Sequence, residues 1–239
     1  MDAAAYCRAI EAFLCRKNDG HLIRVVGPSF EIVSRWARQG VPLKIAYAGI
    51  DRHFERYYRK GPRRRPVKID FCEADVLDVF DEWRRALGVP AASTPADSGE
   101  SRIANPESQD PRRPSLPSHL ERALTRLSSA RARGALGDDF DALIDRVAAE
   151  LDAARSSAAA VRGESRRALV ERLAAVDADL VRAARELLDE PARAALAREA
   201  DEELAAFRAS MAADAFARAR EAAIDRLVRE RFGLPTLQY

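Results

Sequence analysis

The chain has 239 residues, 47% hydrophobic and 33% charged, a composition that can bury a core and excludes a collagenous, disulfide-stapled or wholly disordered chain. Its formal net charge of +2 averages two unlike parts: residues 1–88 carry 17 Lys/Arg against 12 Asp/Glu, which leaves the rest at −3. No apolar run approaches the roughly 18 residues of a spanning helix and no leader-like segment opens the chain, so a cytoplasmic protein without membrane contact is expected.

In the first part, Tyr6, Ile10, Phe13 and Leu14 recur at helical spacing, and Asn18-Asp19-Gly20 closes a helix over about 3–17. Leu22 to Val26 is short and ends at Gly27-Pro28, which reads as an extended connector. Ser29 is placed to cap a second helix with Phe30, Val33 and Trp36 on its buried face and Gly40 as its stop. Pro42 suits the first position of a third helix, striped by Leu43, Tyr47, Ile50, Phe54 and one of Tyr57 and Tyr58, which ends at Gly61-Pro62. Asp70 and Glu73 form a capping box for a fourth, whose buried face is Val76, Leu77, Phe80, Trp83 and Leu87. Together these predict a compact, basic, aromatic-rich helical domain over 1–88.

Residues 89–117 contain six prolines, five serines and no aromatic residue. Such a stretch buries too little to offset its ordering entropy, and a flexible linker is expected. Residues 118–239 contain 33 alanines and no lysine, an Ala/Arg/Leu/Glu mixture of strong helix formers. A capping box of Ser118 and Glu121 opens one helix. Phe140 to Ala154 and then Leu169, Leu173, Val176, Leu180 and Leu187 stripe the next two. Pro191 opens a last long helix or pair, from Leu196 to Phe232. These stripes are narrow and alanine-padded, which predicts a helical bundle or coiled coil serving assembly, with Leu169, Leu173 and Leu180 covered by another helix and the protein a homo-oligomer. The fold class expected is therefore all-α.

The densest local signal is the run from Arg35 to Lys68, with 11 Lys/Arg against Asp51 and Glu55. Arg52, Arg56, Arg59 and Lys60 fall three or four apart on the third helix, and Arg63, Arg64 and Arg65 extend that face between two prolines, followed by Lys68. Guanidinium groups laid out this way pair with phosphate oxygens, so DNA or another polyanion is the expected partner. Tyr58 is a candidate to stack on unpaired bases. The competing readings are an acidic protein partner and a solvated face balanced by the acidic run Asp70, Glu73, Asp75, Asp78, Asp81 and Glu82.

The order Pro28, Trp36, Gly40-Val41-Pro42, Ile50, a basic connection, then Val76-x-x-x-Phe80-x-x-Trp83 resembles the helical DnaD-type module of bacterial replication-initiation and helicase-loading proteins. Residues 22–88 carry the resemblance. Trp83 matches that module's Tyr-x-x-x-Ile-x-x-Trp helix outright, while Val76 and Phe80 keep its spacing and not its residue types. The resemblance implies DNA binding, self-association and a replication accessory role.

No Gly-rich phosphate loop, nucleophile elbow or zinc-protease pair occurs, and Asp51, His53 and Glu55 point in different directions on a helix. Cys7, Cys15 and Cys72 lack the paired spacing of a zinc site, and His21, His53 and His119 are scattered, so no metal or other cofactor is expected. The sequence reads as a non-catalytic nucleic-acid-associated adaptor, with a scaffolding protein that binds an acidic partner as the alternative.

Overall fold

A computed structural model describes residues 2–59, 61, 66–90, 115–133, 137–158 and 162–239. Among these residues the protein is all-α, with nine α-helices, two single 3-10 turns and no strand. The helices are α1 (Ala3–Lys17), α2 (Pro28–Arg38), α3 (Leu43–Tyr58), α4 (Glu73–Leu87), α5 (Leu116–Ala132), α6 (Asp138–Ala158), α7 (Gly163–Glu186), α8 (Glu190–Leu204) and α9 (Ala213–Phe232). None of them is long and apolar enough to cross a membrane.

The chain divides into two compact units, Met1–Pro95 with Asp201–Ala222, and Ala96–Ala200 with Ala223–Tyr239. The division falls within the expected linker of 89–117, but Asp201–Ala222, expected in the 118–239 helical domain, belongs to the first unit. The physical reason is Phe207, whose ring lies 6.3 Å from Phe80 and 5.8 Å from Trp83, so that residues after 200 complete an aromatic cluster begun by α4. Leu116, fully buried, already belongs to α5, so that helix starts one turn before the Ser118/Glu121 box. Ser115 is its cap, its Oγ accepting from the Ser118 amide at 3.4 Å. The expected linker falls, from 91 to 114, outside the described residues.

In the first unit α1 packs on α2 and α3, and α3 on α4. The stripes read from sequence supply the core: Ile10, Leu14, Val33, Trp36, Ile50, Val76 and Trp83 are all buried. The α3–α4 contact is close because Gly49 has no side chain; a Cβ there would lie 2.4 Å from the Val76 Cα. Gly40, with φ +76°, ends α2 in a Schellman motif: its amide donates to the Ala37 carbonyl (3.2 Å) and the Val41 amide to that of Trp36 (3.0 Å), which buries Val41.

Several local expectations are corrected. Ser29 does not cap α2; Gly27 holds the cap position with Pro28 following it, and the Ser29 hydroxyl donates to Asp70 Oδ1 at 2.7 Å. With its carboxylate engaged there, and with Glu73 paired to Arg35, Asp70 does not cap α4 and sits instead in a 3-10 turn, Ile69–Cys72. Pro42 is the N-cap of α3, one position earlier than expected. Phe30, read as buried, is exposed.

In the second unit α6 packs on α5 and on α7. Leu169, Leu173 and Leu180 are buried within this single chain, because the α7 stripe is wider than its leucines: it includes Val181, Ala184 and the wholly buried Asp177. They need no second copy to cover them. Val176 is only half-buried and Leu187 is exposed, so both lie off the face assigned to them.

Candidate nucleic-acid interface

The basic segment is carried by α3 and by the connection from it to α4. Ile45, Ala46, Gly49, Ile50, His53 and Phe54 form the buried face of α3, which turns Arg52, Arg56 and Arg59 outward. Their outward placement does not leave them equivalent. Arg52 Nη1 donates to Glu82 Oε1 at 3.0 Å, a contact that holds the guanidinium further above its already high pKa. Arg56 Nη2 donates to Asp75 Oδ2 at 2.7 Å. The same oxygen lies 2.9 Å from His53 Nδ1, with Asp75 and His53 both buried.

The acidic run of α4 thus neutralises part of the positive segment from within the unit. Arg35 is taken by Glu73 at 3.2 Å, Arg56 by Asp75 and Arg52 by Glu82, the first two carboxylates in the first turn of α4 and the third about two turns further on. Of these, only the Asp75 side is desolvated. The Arg52–Glu82 pair has both side chains about half exposed and contributes little to stability. Asp75 instead would be left with a buried charge if either partner were lost.

Arg59 and Lys68 stand apart. Both are exposed, and neither has an ion pair among the described residues. They bracket the connection in which Lys60, Arg63, Arg64 and Arg65 lie outside the described residues. Beside Arg59, Tyr58 is 39% exposed, edge-on to Tyr57 at 5.3 Å and tilted on Phe54 at 5.9 Å. Tyr57 is half-buried, its ring 6.1 Å from that of His53, so Tyr58 is the one with a face to offer.

Of the nine residues predicted to contact nucleic acid, Arg52 and Arg56 are thus committed to α4, Tyr58, Arg59 and Lys68 are available at the surface, and the other four are undescribed. The partner of His53 was not legible from its neighbours Asp51 and Glu55. Asp75 lies 22 residues away on another helix, and the only sequence trace of the pair is that each polar residue occupies a position on a core-facing stripe.

No group of three His, Cys, Asp or Glu side chains that could hold a metal ion occurs among the described residues. Cys7 and Cys72 are buried free thiols, and Cys15 Sγ accepts from the Ile23 amide at 3.3 Å. Burial pushes the Cys72 thiol up to about 12, which makes it a poor nucleophile. None of the protein-family models, curated proteins or solved structures compared with the chain matches it.

Proposed function

We propose that the chain is a non-catalytic nucleic-acid-associated adaptor that holds phosphate backbone through the end of α3 and the basic connection to Lys68. The observation that carries this is the contrast within one segment. Arg35, Arg52 and Arg56 are satisfied by α4, whereas Arg59 and Lys68 are exposed without ion pairs among the described residues, at either end of a sequence that adds Lys60 and three arginines. Charges that need only to be solvated are commonly interspersed with the opposite sign; from Arg56 to Ile69 there is no acidic residue at all. Tyr58 beside Arg59 supplies an aromatic face where an unpaired base would stack.

A replication accessory role rests on the DnaD-like resemblance, whose matching positions Val76, Phe80 and Trp83 lie on the buried face of α4. In this reading those residues build the module and the basic connection does the binding.

The test is fluorescence anisotropy with labelled duplex and single-stranded oligonucleotides over a salt series. Replacing Arg63, Arg64 and Arg65 together by Ala should weaken binding and lower the log K against log salt slope by roughly 2 to 3, at about 0.9 per lost duplex contact or 0.7 per single-strand contact. An unchanged affinity and slope in a folded triple variant would remove the connection from the interface. Oligonucleotide that fails to bind the wild type at low salt, where an acidic polypeptide does bind, would replace this reading by the scaffolding one.

A further inference from the structure

One carboxylate oxygen in the first unit holds two side chains that differ in their freedom to leave it. Asp75 Oδ2 lies 2.9 Å from His53 Nδ1 and 2.7 Å from Arg56 Nη2, and those two nitrogens are 3.5 Å apart. An ionised carboxylate only accepts, so Nδ1 carries the proton it donates, and a neutral imidazole adds no charge beside the guanidinium. The Asp75 and His53 side chains are 4% and 11% exposed, whereas that of Arg56 is 62% exposed. Gly49, one turn before His53, seats α3 directly on the Val76 backbone next to Asp75, so the two buried groups cannot draw apart. Only Arg56 can swing away.

A proton on this imidazole sets two cations in contact over one carboxylate, and like charges at that range repel. The surrounding groups do not offset it. On α4, Glu82 is held by Arg52, and Asp78 is exposed and acts on that same arginine. From α1, Lys17 pairs with Asp51 at 2.6 Å; on α3 itself, the Tyr57 ring lies 6.1 Å from that of His53. In the 3-10 turn, burial keeps the Cys72 thiol protonated, and Asp70 accepts from Ser29. Arg56 meanwhile lies on the outward face of α3 with Arg52 and Arg59, where the basic connection begins. We infer that protonation of His53 frees Arg56 from Asp75 and adds it to the phosphate-binding surface, so that nucleic-acid binding by this unit is linked to proton uptake. The inference rests on the nucleic-acid reading above and names how that site is regulated. Binding tightens as pH falls through the imidazole's titration, which for histidine lies between about pH 5 and 8, and by reciprocity bound phosphate favours the protonated ring.

Anisotropy salt series on the full chain with a labelled duplex, at about pH 5.5 and about pH 8, test it. The wild-type log K against log salt slope is expected to be steeper at the lower pH by about 0.9, or by about 0.7 with a single strand, for the one contact that Arg56 adds. Arg56→Gln should abolish this difference and Arg56→Lys should keep it. His53→Gln, whose amide can still donate to Asp75 but takes up no proton, should abolish it too. His21→Gln, which deletes an exposed histidine of the same unit, should leave it in place. Circular dichroism checks the fold of each variant. An NMR titration of the His53 ring in wild type, which needs no variant, should show its midpoint rise when unlabelled oligonucleotide is added. Equal wild-type slopes at the two pH values, a difference that persists in Arg56→Gln or vanishes in His21→Gln, or a His53 midpoint unmoved by bound oligonucleotide would each overturn the inference while leaving the nucleic-acid reading in place. No oligonucleotide binding at either pH would remove both.

Discussion

Asp177 and Arg229 form an ion pair inside the second unit, with 1% of the aspartate side chain and 16% of the arginine side chain exposed. The other oxygen of Asp177 accepts the Leu237 amide at 2.7 Å, and Leu234 and Leu237 are buried beside it. A single carboxylate on α7 therefore neutralises a charge from α9 and satisfies the backbone of the segment that follows it. The Leu237 carbonyl lies 3.3 Å from His119 Nε2, so both backbone groups of that residue meet side chains of this unit.

Replacing Asp177 by Ala should cost about 3–5 kcal/mol, because it strands the Arg229 charge and the Leu237 amide together. The double variant Asp177→Leu/Arg229→Met should recover part of that loss by removing both charges. It should not recover all of it, since the amide left unpaired still costs about 1–3 kcal/mol. Urea unfolding of the three proteins measures this; full recovery would mean that the Leu237 contact contributes nothing.

Gly49→Ala should destabilise the first unit even though alanine is the better helix former. The gain in helix propensity is about 1 kcal/mol, whereas the new Cβ meets the Val76 backbone at 2.4 Å and forces α3 and α4 apart. Overpacking of this kind costs about 1–3 kcal/mol, so a net loss is expected. A melting temperature at or above wild type would show that the helices separate without cost.

What the sequence made legible follows from this contrast between local and distant causes. The apolar periodicity of Ile10, Val33, Ile50, Val76 and Trp83 depends on each helix alone, and these residues are buried as read. The capping box of Asp70 and Glu73 also looks local. It fails because Ser29 and Arg35 compete for the same two carboxylates from other parts of the unit. Asp177 was missed for a related reason: a charged residue inside an apolar stripe reads as a break in it, unless its partner 52 residues away is known. In the basic segment the charge run was plain, but which cations α4 would neutralise depended on the α3–α4 packing that Gly49 permits.

The first unit should lose stability in alkali. Burial, followed by the neighbouring Asp75 and Asp70 carboxylates, pushes the Cys72 thiol up to about 12, and burial also raises the Tyr6 phenol. A folded-state pKa above the unfolded one means that the native state holds a proton which the unfolded chain has released. The contribution is whole below the unfolded thiol pKa of about 8.5 and is lost as pH rises toward the folded value. Between about pH 9 and 11 the stability of Cys72→Ala should therefore fall less steeply than that of wild type. Identical slopes in urea unfolding would show that Cys72 does not titrate apart from the unfolded chain.

The sharpest test of the interface compares cations on α3 with those in the connection that follows it. Arg52 is already paired with Glu82, so a phosphate must compete with a carboxylate for it, whereas Arg59 and Lys68 are exposed without ion pairs among the described residues. Arg59→Gln/Lys68→Gln should lower the duplex salt slope by about 1.8, or about 1.4 on single strand. Arg52→Gln should leave the slope unchanged and alter stability by no more than about 1 kcal/mol, as expected for an exposed pair. Arg56→Gln should also leave the slope unchanged, but it should destabilise the unit more, since Asp75 stays buried with His53 as its remaining partner among the described residues. Anisotropy salt series and urea unfolding on the three variants and wild type separate these effects. Equal slope changes from the Arg52 and the Arg59/Lys68 variants would place the outer face of α3, rather than its C-terminal end, against the phosphates.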